Sequence, residues 1–195
     1  MTRGRLEAFS DGVIAIIITI MVLELRPPDG VSFEAIRPLA PKLCGYVLSF
    51  VFVAIYWNNH HHLLHVVQRI NGKALWANMH LLFWLSLVPA VTAWMGDQRA
   101  ASLTVATYGA VLLLSGVAYF ILTRVLLAIH APDSPLAKAL GRDWKGKLSV
   151  VVYAVAIPLA FVNRWIAIAL YVCVALTWLV PDARIERTLD GHGDG

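Results

Sequence analysis

The residues able to do chemistry fall into two groups. Four histidines, His60, His61, His62 and His65, stand close together, and on a continuous helix His61/His65 are spaced i, i+4 and His62/His65 i, i+3. Both spacings can hold a metal. A membrane enzyme built on His-rich boxes needs several such boxes, however, and outside this cluster only His80, His130 and His192 remain. A hydrogen-bonded network suits the cluster better, because a neutral imidazole donates from one ring nitrogen and accepts at the other. Free imidazole titrates near ~6.5, which also makes the cluster a candidate seat of pH sensitivity. The second group is Arg5, Ser10, Asp11 and Thr19, in or beside an apolar run. Ionisable residues at such positions are costly and mark function or a partner, although Ser10 and Asp11 can also simply cap a helix. Cys44 and Cys173 are far apart in apolar runs, in no CxxC or Cys/His spacing, and imply neither a disulfide framework nor a metal site.

The elements that position these groups are membrane spans. Of 195 residues, 59% are hydrophobic and only 14% charged, against roughly a quarter charged in average soluble chains. Disorder, collagen and a basic nucleic-acid-binding domain are excluded. A spanning helix needs about 20 apolar residues, and six stretches qualify: 8–25, 39–57, 74–95, 101–129, 148–162 and 164–180. Only Asn163 and Arg164 separate the last two, which predicts a tight helical hairpin, while Pro89 and Pro158 predict tolerated kinks. The run after Arg3 and Arg5 is not a signal peptide, since Glu24-Leu25-Arg26-Pro27-Pro28 replaces a small-residue cleavage site.

Six spans put both termini on one side. With that side cytoplasmic, the inner segments carry Arg3, Arg5, Arg69, Lys73, Arg124, Lys138, Arg142, Lys145, Lys147, Arg184 and Arg187, and the outer ones Arg26, Arg37, Lys42, Arg99 and Arg164. This 11 to 5 split follows the positive-inside rule. Residues 1–180 then form one six-span domain in the cell inner (plasma) membrane, and 181–195 a short cytoplasmic tail.

On the first span, rotation of about 100° per residue gathers Ile16, Ile20 and Leu23 into one stripe with Thr19 at its edge, and sends Asp11 to nearly the opposite side. From periodicity alone the stripe can equally face lipid or pack on a neighbouring helix.

The run Arg5-Leu6-Glu7-Ala8-Phe9-Ser10-Asp11-Gly12-Val13-Ile14-Ala15-Ile16-Ile17-Ile18-Thr19-Ile20 resembles the R-x-x-x-F-S-D-x-x-x-A-I-x-x-T signature of the transmembrane protein 175 family of potassium channels. Tyr56-Trp57-Asn58-Asn59-His60-His61-His62 is similar to its Trp-x-x-His-His, and Asn78 through Leu87-Val88-Pro89 to its third-span pattern. The resemblance covers the first half of the chain. It implies the prokaryotic single-repeat branch: an all-α homotetramer around a pore lined by the first helix, unlike the ordinary potassium-channel fold. The family's layered apolar constriction then falls on Ile16, with Ile20 and Leu23 above it and Thr19 beside them. The Phe9-Ser10-Asp11 signature implies a structural network with partners among Arg5, Trp57, His61, His62, Asn78 and His80.

Thr104-Val105-Ala106-Thr107-Tyr108-Gly109 resembles a carbonyl filter only in part, because it opens an unbroken apolar run. The reading is therefore a channel for monovalent cations, potassium-selective or weakly selective, with a hydrophobic gate and potassium as permeant ion. No cofactor, metal or nucleic-acid partner is expected; the partners are the lipid bilayer and further copies of the chain. The alternatives are a proton-coupled or other secondary cation transporter, which predicts a midplane carboxylate or broken helices, and a His-box membrane enzyme, which predicts bound metal. Glu24 and Asp29 fall at the outer mouth, either concentrating cations there or as solvated loop charges.

Overall fold

The computed structural model describes residues 2–28, 30–140 and 144–179. The elements, in chain order, are α1 (Arg3–Leu23), α2 (Phe33–Ile36), a 3-10 turn (Arg37–Leu39), α3 (Ala40–Val66), α4 (Gly72–Ser86), α5 (Val88–Asp97), α6 (Ser102–Leu127), α7 (Pro135–Leu140), α8 (Trp144–Val162) and α9 (Arg164–Leu179). There is no strand among the described residues. Among the described residues, five helical stretches are long and apolar enough to cross a bilayer: Arg3–Leu23, Phe33–Val66, Gly72–Asp97, Ser102–Leu127 and Trp144–Val162. Arg164–Leu179 is apolar but shorter, at 16 residues. The charges of Asp29, Arg142, Arg184 and Arg187, with the proposed tail, lie outside the described residues.

Local chemistry sets the ends of these helices. After Leu23 come Pro27 and Pro28, which have no N–H to continue a helix. The Asn71 side chain caps α4 by accepting from the Ala74 N–H at 2.9 Å. The third apolar stretch, where Pro89 predicted a kink, is divided into two helices: it breaks at Leu87, and Pro89 occupies the first turn of α5, where its missing N–H costs nothing. Pro158, by contrast, is carried inside α8, which continues to Val162. Two helices begin earlier than the apolar runs alone implied, α1 at Arg3 and α8 at Trp144, while α3 runs on to Val66 and so carries the whole histidine cluster.

Packing divides into two clusters. One joins α1, α4 and α6 through Ile14, Ile17, Leu81, Leu85, Leu122 and Leu126. The other joins α3, α6, α8 and α9 through Phe52, Tyr108, Tyr153 and Tyr171, with Ala156, Ala160 and Ala167 allowing α8 and α9 to close up. α8 and α9 form a hairpin across Asn163, whose side chain accepts from the Trp165 N–H at 3.0 Å. In hydrocarbon there is little hydrophobic drive between helices, so such close fits and hydrogen bonds carry the association. Ser49 shows it: its hydroxyl bonds both Thr92 (2.7 Å) and Tyr108 (3.0 Å), joining α3, α5 and α6.

Gly109 is the tightest of these fits. A Cβ there would overlap the phenol of Tyr171, whose hydroxyl donates to the Val105 carbonyl at 3.2 Å. Gly109→Ala is therefore expected to cost about 1–3 kcal/mol by overpacking, read as a lowered unfolding temperature in detergent. Adding Tyr171→Ala removes the overlap, so the double variant should lose less than the sum of the singles. Simple additivity would show that the two residues do not collide.

Candidate pore helix and signature network

Helix α1 presents two different faces. Leu6, Ser10, Ile14, Ile17 and Met21 are buried against α3, α4 and α5. The other side carries Ile16, Ile20 and Leu23, which are 59%, 44% and 73% exposed on the single chain. That is a large amount of branched apolar surface in one charge-free stripe. Thr19 lies beside it, and its hydroxyl donates to the Ala15 carbonyl at 2.8 Å, so the side chain bonds its own helix rather than a neighbour. Gly12 continues the stripe towards the N-terminus, with nothing near the position a Cβ would take. Beyond Leu23, Glu24 lines a cavity of about 180 Å³ together with Arg26, Lys42 and Asp97, of which Lys42 and Asp97 form an ion pair.

The buried face is fixed by polar bonds. The Ser10 hydroxyl donates to the Leu6 carbonyl (2.9 Å) and accepts from the Asn78 amide (2.9 Å), while the Asn78 oxygen accepts from His60 Nε2 (2.7 Å). All three side chains are at most 1% exposed. Because the Asn78 nitrogen is committed to Ser10, its oxygen must face His60, and Nε2 carries the proton. A more open layer lies beside it. The Trp57 indole donates to Asp11 Oδ1 at 3.0 Å and stacks on His61, whose Nδ1 meets Glu7 at 3.1 Å. Arg3 donates to the His65 carbonyl at 2.8 Å and ties the start of α1 to the end of α3.

Of the residues expected in the network, Ser10, Asp11, Trp57 and Asn78 are thus brought together between α1, α3 and α4, and His61 joins through Glu7. His62 is half-buried and touches His61 edge-on. Arg5 and Phe9 are exposed, and Arg3 rather than Arg5 makes the tie to α3. His80 lies apart on the exposed side of α4, accepting from the Trp84 indole at 2.9 Å. Among the described residues no imidazole bonds Asp11 or Ser10 directly, because Trp57 reaches the first and Asn78 stands between His60 and the second.

Sequence reading placed His60 in the histidine cluster without naming it as a partner of the signature, and gave His130 no role. His60, not His61 or His62, is the buried histidine. Its signal was available, since it continues the buried stripe of Gly45, Ser49, Phe52 and Val53 on α3. His130 accepts from the Gln68 and Arg69 N–H groups (3.1 and 3.3 Å) with Nε2, while Nδ1 bonds the Leu126 carbonyl at 2.7 Å, so it ties the loop after α3 to the end of α6. Nothing in local sequence indicates that pairing. Among the described residues, no three His, Cys, Asp or Glu side chains converge as metal ligands. Thr104 to Gly109 are helical, within α6.

The described residues thus form a bundle of membrane-length helices in which α1 is held by buried polar bonds and carries an uncovered apolar stripe. The family model for the endosomal/lysosomal potassium channel TMEM175 matches residues 5–89. A potassium channel of Chryseobacterium sp. (strain P1-3) is 51% identical, over 97% of this chain and 98% of its own length. A potassium channel of Streptomyces collinus (strain DSM 40733 / Tue 365) is 31% identical over 89% of each. The crystal structure of a lysosomal potassium-selective channel TMEM175 homolog from Chamaesiphon minutus superposes with a TM-score of 0.74 at 25% identity, covering 91% of this chain and 96% of that one. The chain belongs to the TMEM175 family, whose named members here are channels and not enzymes.

Proposed function

We propose that this chain is a potassium-selective cation channel, a homotetramer whose four α1 helices surround the pore, with Ile16, Ile20 and Leu23 forming its constriction and Thr19 lining it beside them. The observation that carries the reading is the bare stripe of α1. Three large apolar side chains lie uncovered on a helix whose other face is locked by Ser10 and Asn78, and four-fold association covers them while leaving a narrow apolar passage. Such a passage gates by dewetting, so a small displacement of four helices admits water and ions. Potassium as the permeant ion is supported by what the Chryseobacterium and Chamaesiphon proteins are named for.

In this reading α9 is the sixth span, paired with α8 through the Asn163 turn, and both termini are cytoplasmic because that orientation puts most Lys and Arg inside. Residues 1–180 form the channel domain in the cell inner membrane and 181–195 its tail, with no cofactor. The decisive experiment is the reversal potential of single-channel current from purified protein in a planar bilayer under opposed potassium and sodium gradients. Discrete currents reversing near the potassium equilibrium potential are expected. Slow gradient-driven flux without discrete currents would overturn the channel reading in favour of a secondary transporter.

A further inference from the structure

Helix α3 packs on α1, α5 and α9, and between its residues 52–59 and helices α6 and α8 lies a cavity of about 330 Å³, bridged by the Tyr119 hydroxyl, which donates to the Asn59 carbonyl at 3.2 Å. This is within the ~300–1,000 Å³ range of small-ligand sites. Its walls are apolar: Phe52, Ile55, Val117, Phe120, Val150 and Val151. Phe120 and Val151 are also exposed on the outside of the helix bundle, so the crevice opens sideways. The floor includes Gly116, where a Cβ would make only ordinary contacts with Val150 (3.6 Å) and the Tyr56 hydroxyl (3.7 Å).

Polar groups are the minority of the lining, among them Tyr56, Asn59, Lys147 and Ser149. Lys147 lines the cavity with an exposed side chain, and no Asp or Glu is among the lining residues. The Ser149 hydroxyl is already engaged, accepting from the Trp178 indole at 2.9 Å and donating to the Lys145 carbonyl at 2.8 Å. Tyr56 also lines the cavity. Trp144, one turn before Lys147 and 55% exposed, is the amphipathic residue expected at headgroup level.

We propose that this crevice binds an anionic phospholipid: one acyl chain lies between α3, α6 and α8, and the phosphate pairs with the Lys147 ammonium. An apolar trough suits a hydrocarbon chain but not a free anion. The Lys147 ammonium, with the Arg124 guanidinium 5.9 Å over the Phe120 ring as a second positive charge and no Asp or Glu among the described lining residues, selects a negatively charged headgroup over a zwitterionic one. The site lies away from the α1 stripe and does not depend on the pore assignment.

The test is native mass spectrometry of the full chain purified in mild detergent, with phosphatidylglycerol or phosphatidylcholine of identical acyl chains added. Phosphatidylglycerol should be retained about tenfold better. Lys147→Gln should abolish that preference and Lys147→Arg preserve it. Gly116→Leu, which sends its outer carbons into the trough, should reduce retention of both lipids. Equal retention of the two lipids by the unmodified chain, or a preference unchanged in Lys147→Gln, would overturn the proposal. So would displacement of the lipid by inorganic phosphate, which would indicate a free-anion site. If Gly116→Leu fails to fold, the two Lys147 variants decide alone. If it folds but loses subunit association with no lipid retained by the parent, the face is a contact between copies and the lipid site is refuted.

Discussion

Ile16→Asn should raise basal current through the channel by about tenfold or more, measured as open probability in planar bilayers at fixed voltage. In the proposed tetramer the substitution places four amides at the narrowest apolar layer. An amide holds water where a sec-butyl group expels it, so the dewetting barrier falls. Ile16→Ala acts differently, by widening the ring without making it polar, and should raise unitary conductance more than open probability. The same substitutions should leave folding nearly unchanged, because Ile16 is 59% exposed on the single chain and contributes little to its core. Potassium over sodium discrimination should fall in Ile16→Asn, since a hydrated ring no longer requires the ion to shed water. Unaltered current in both variants would mean that the stripe faces lipid or a neighbouring subunit, and that the pore runs along another face.

The phase of α1 was legible from sequence because a helix turns by about 100° per residue whatever surrounds it. Ile16, Ile20 and Leu23 had to share a side, and Ser10 had to lie elsewhere. What could not be read was which face the bundle buries, since an apolar stripe facing lipid, protein or pore has one composition. The structure distinguishes the faces by burial: Leu6, Ser10, Ile14, Ile17 and Met21 are covered, and the stripe is not.

The signature's partners were legible by residue type and position, but not by connectivity. Trp57 and Asn78 stood at span positions that could reach α1, whereas the choice between His60, His61 and His62 depended on the phase of α3 across some 20 residues. Extending the Gly45, Ser49 and Phe52 stripe reaches His60. The adjacent histidines are rotated off it by about 100° and 200°, towards the open layer where His61 meets Glu7. The break at Leu87 is a different case. Pro89 announced a disturbance, yet a proline is carried within α8 at Pro158 without ending the helix, so residue type alone does not say which outcome follows.

Asn78→Ala should be the most damaging change in the network, lowering stability by about 2–4 kcal/mol and sharply reducing the yield of folded protein. One amide serves both neighbours, donating to Ser10 and accepting from His60. Its loss leaves His60 with no bond at either ring nitrogen, because Nδ1 is already buried without a partner. Ser10 keeps its bond to the Leu6 carbonyl but loses its bond to Asn78, which joins α1 to α4. Ser10→Ala is expected to cost less, about 1 kcal/mol, since the Asn78 amide nitrogen is then orphaned while His60 keeps its bond to the Asn78 oxygen. Asp11→Asn should cost least: an amide oxygen still accepts from the Trp57 indole, and that pair is solvent-exposed. Thermal unfolding of the three variants in detergent, with size-exclusion chromatography for assembly, gives the ranking. If Asp11→Asn destabilised more than Asn78→Ala, the carboxylate charge would be what holds α1, and the buried chain from Ser10 to His60 would be secondary.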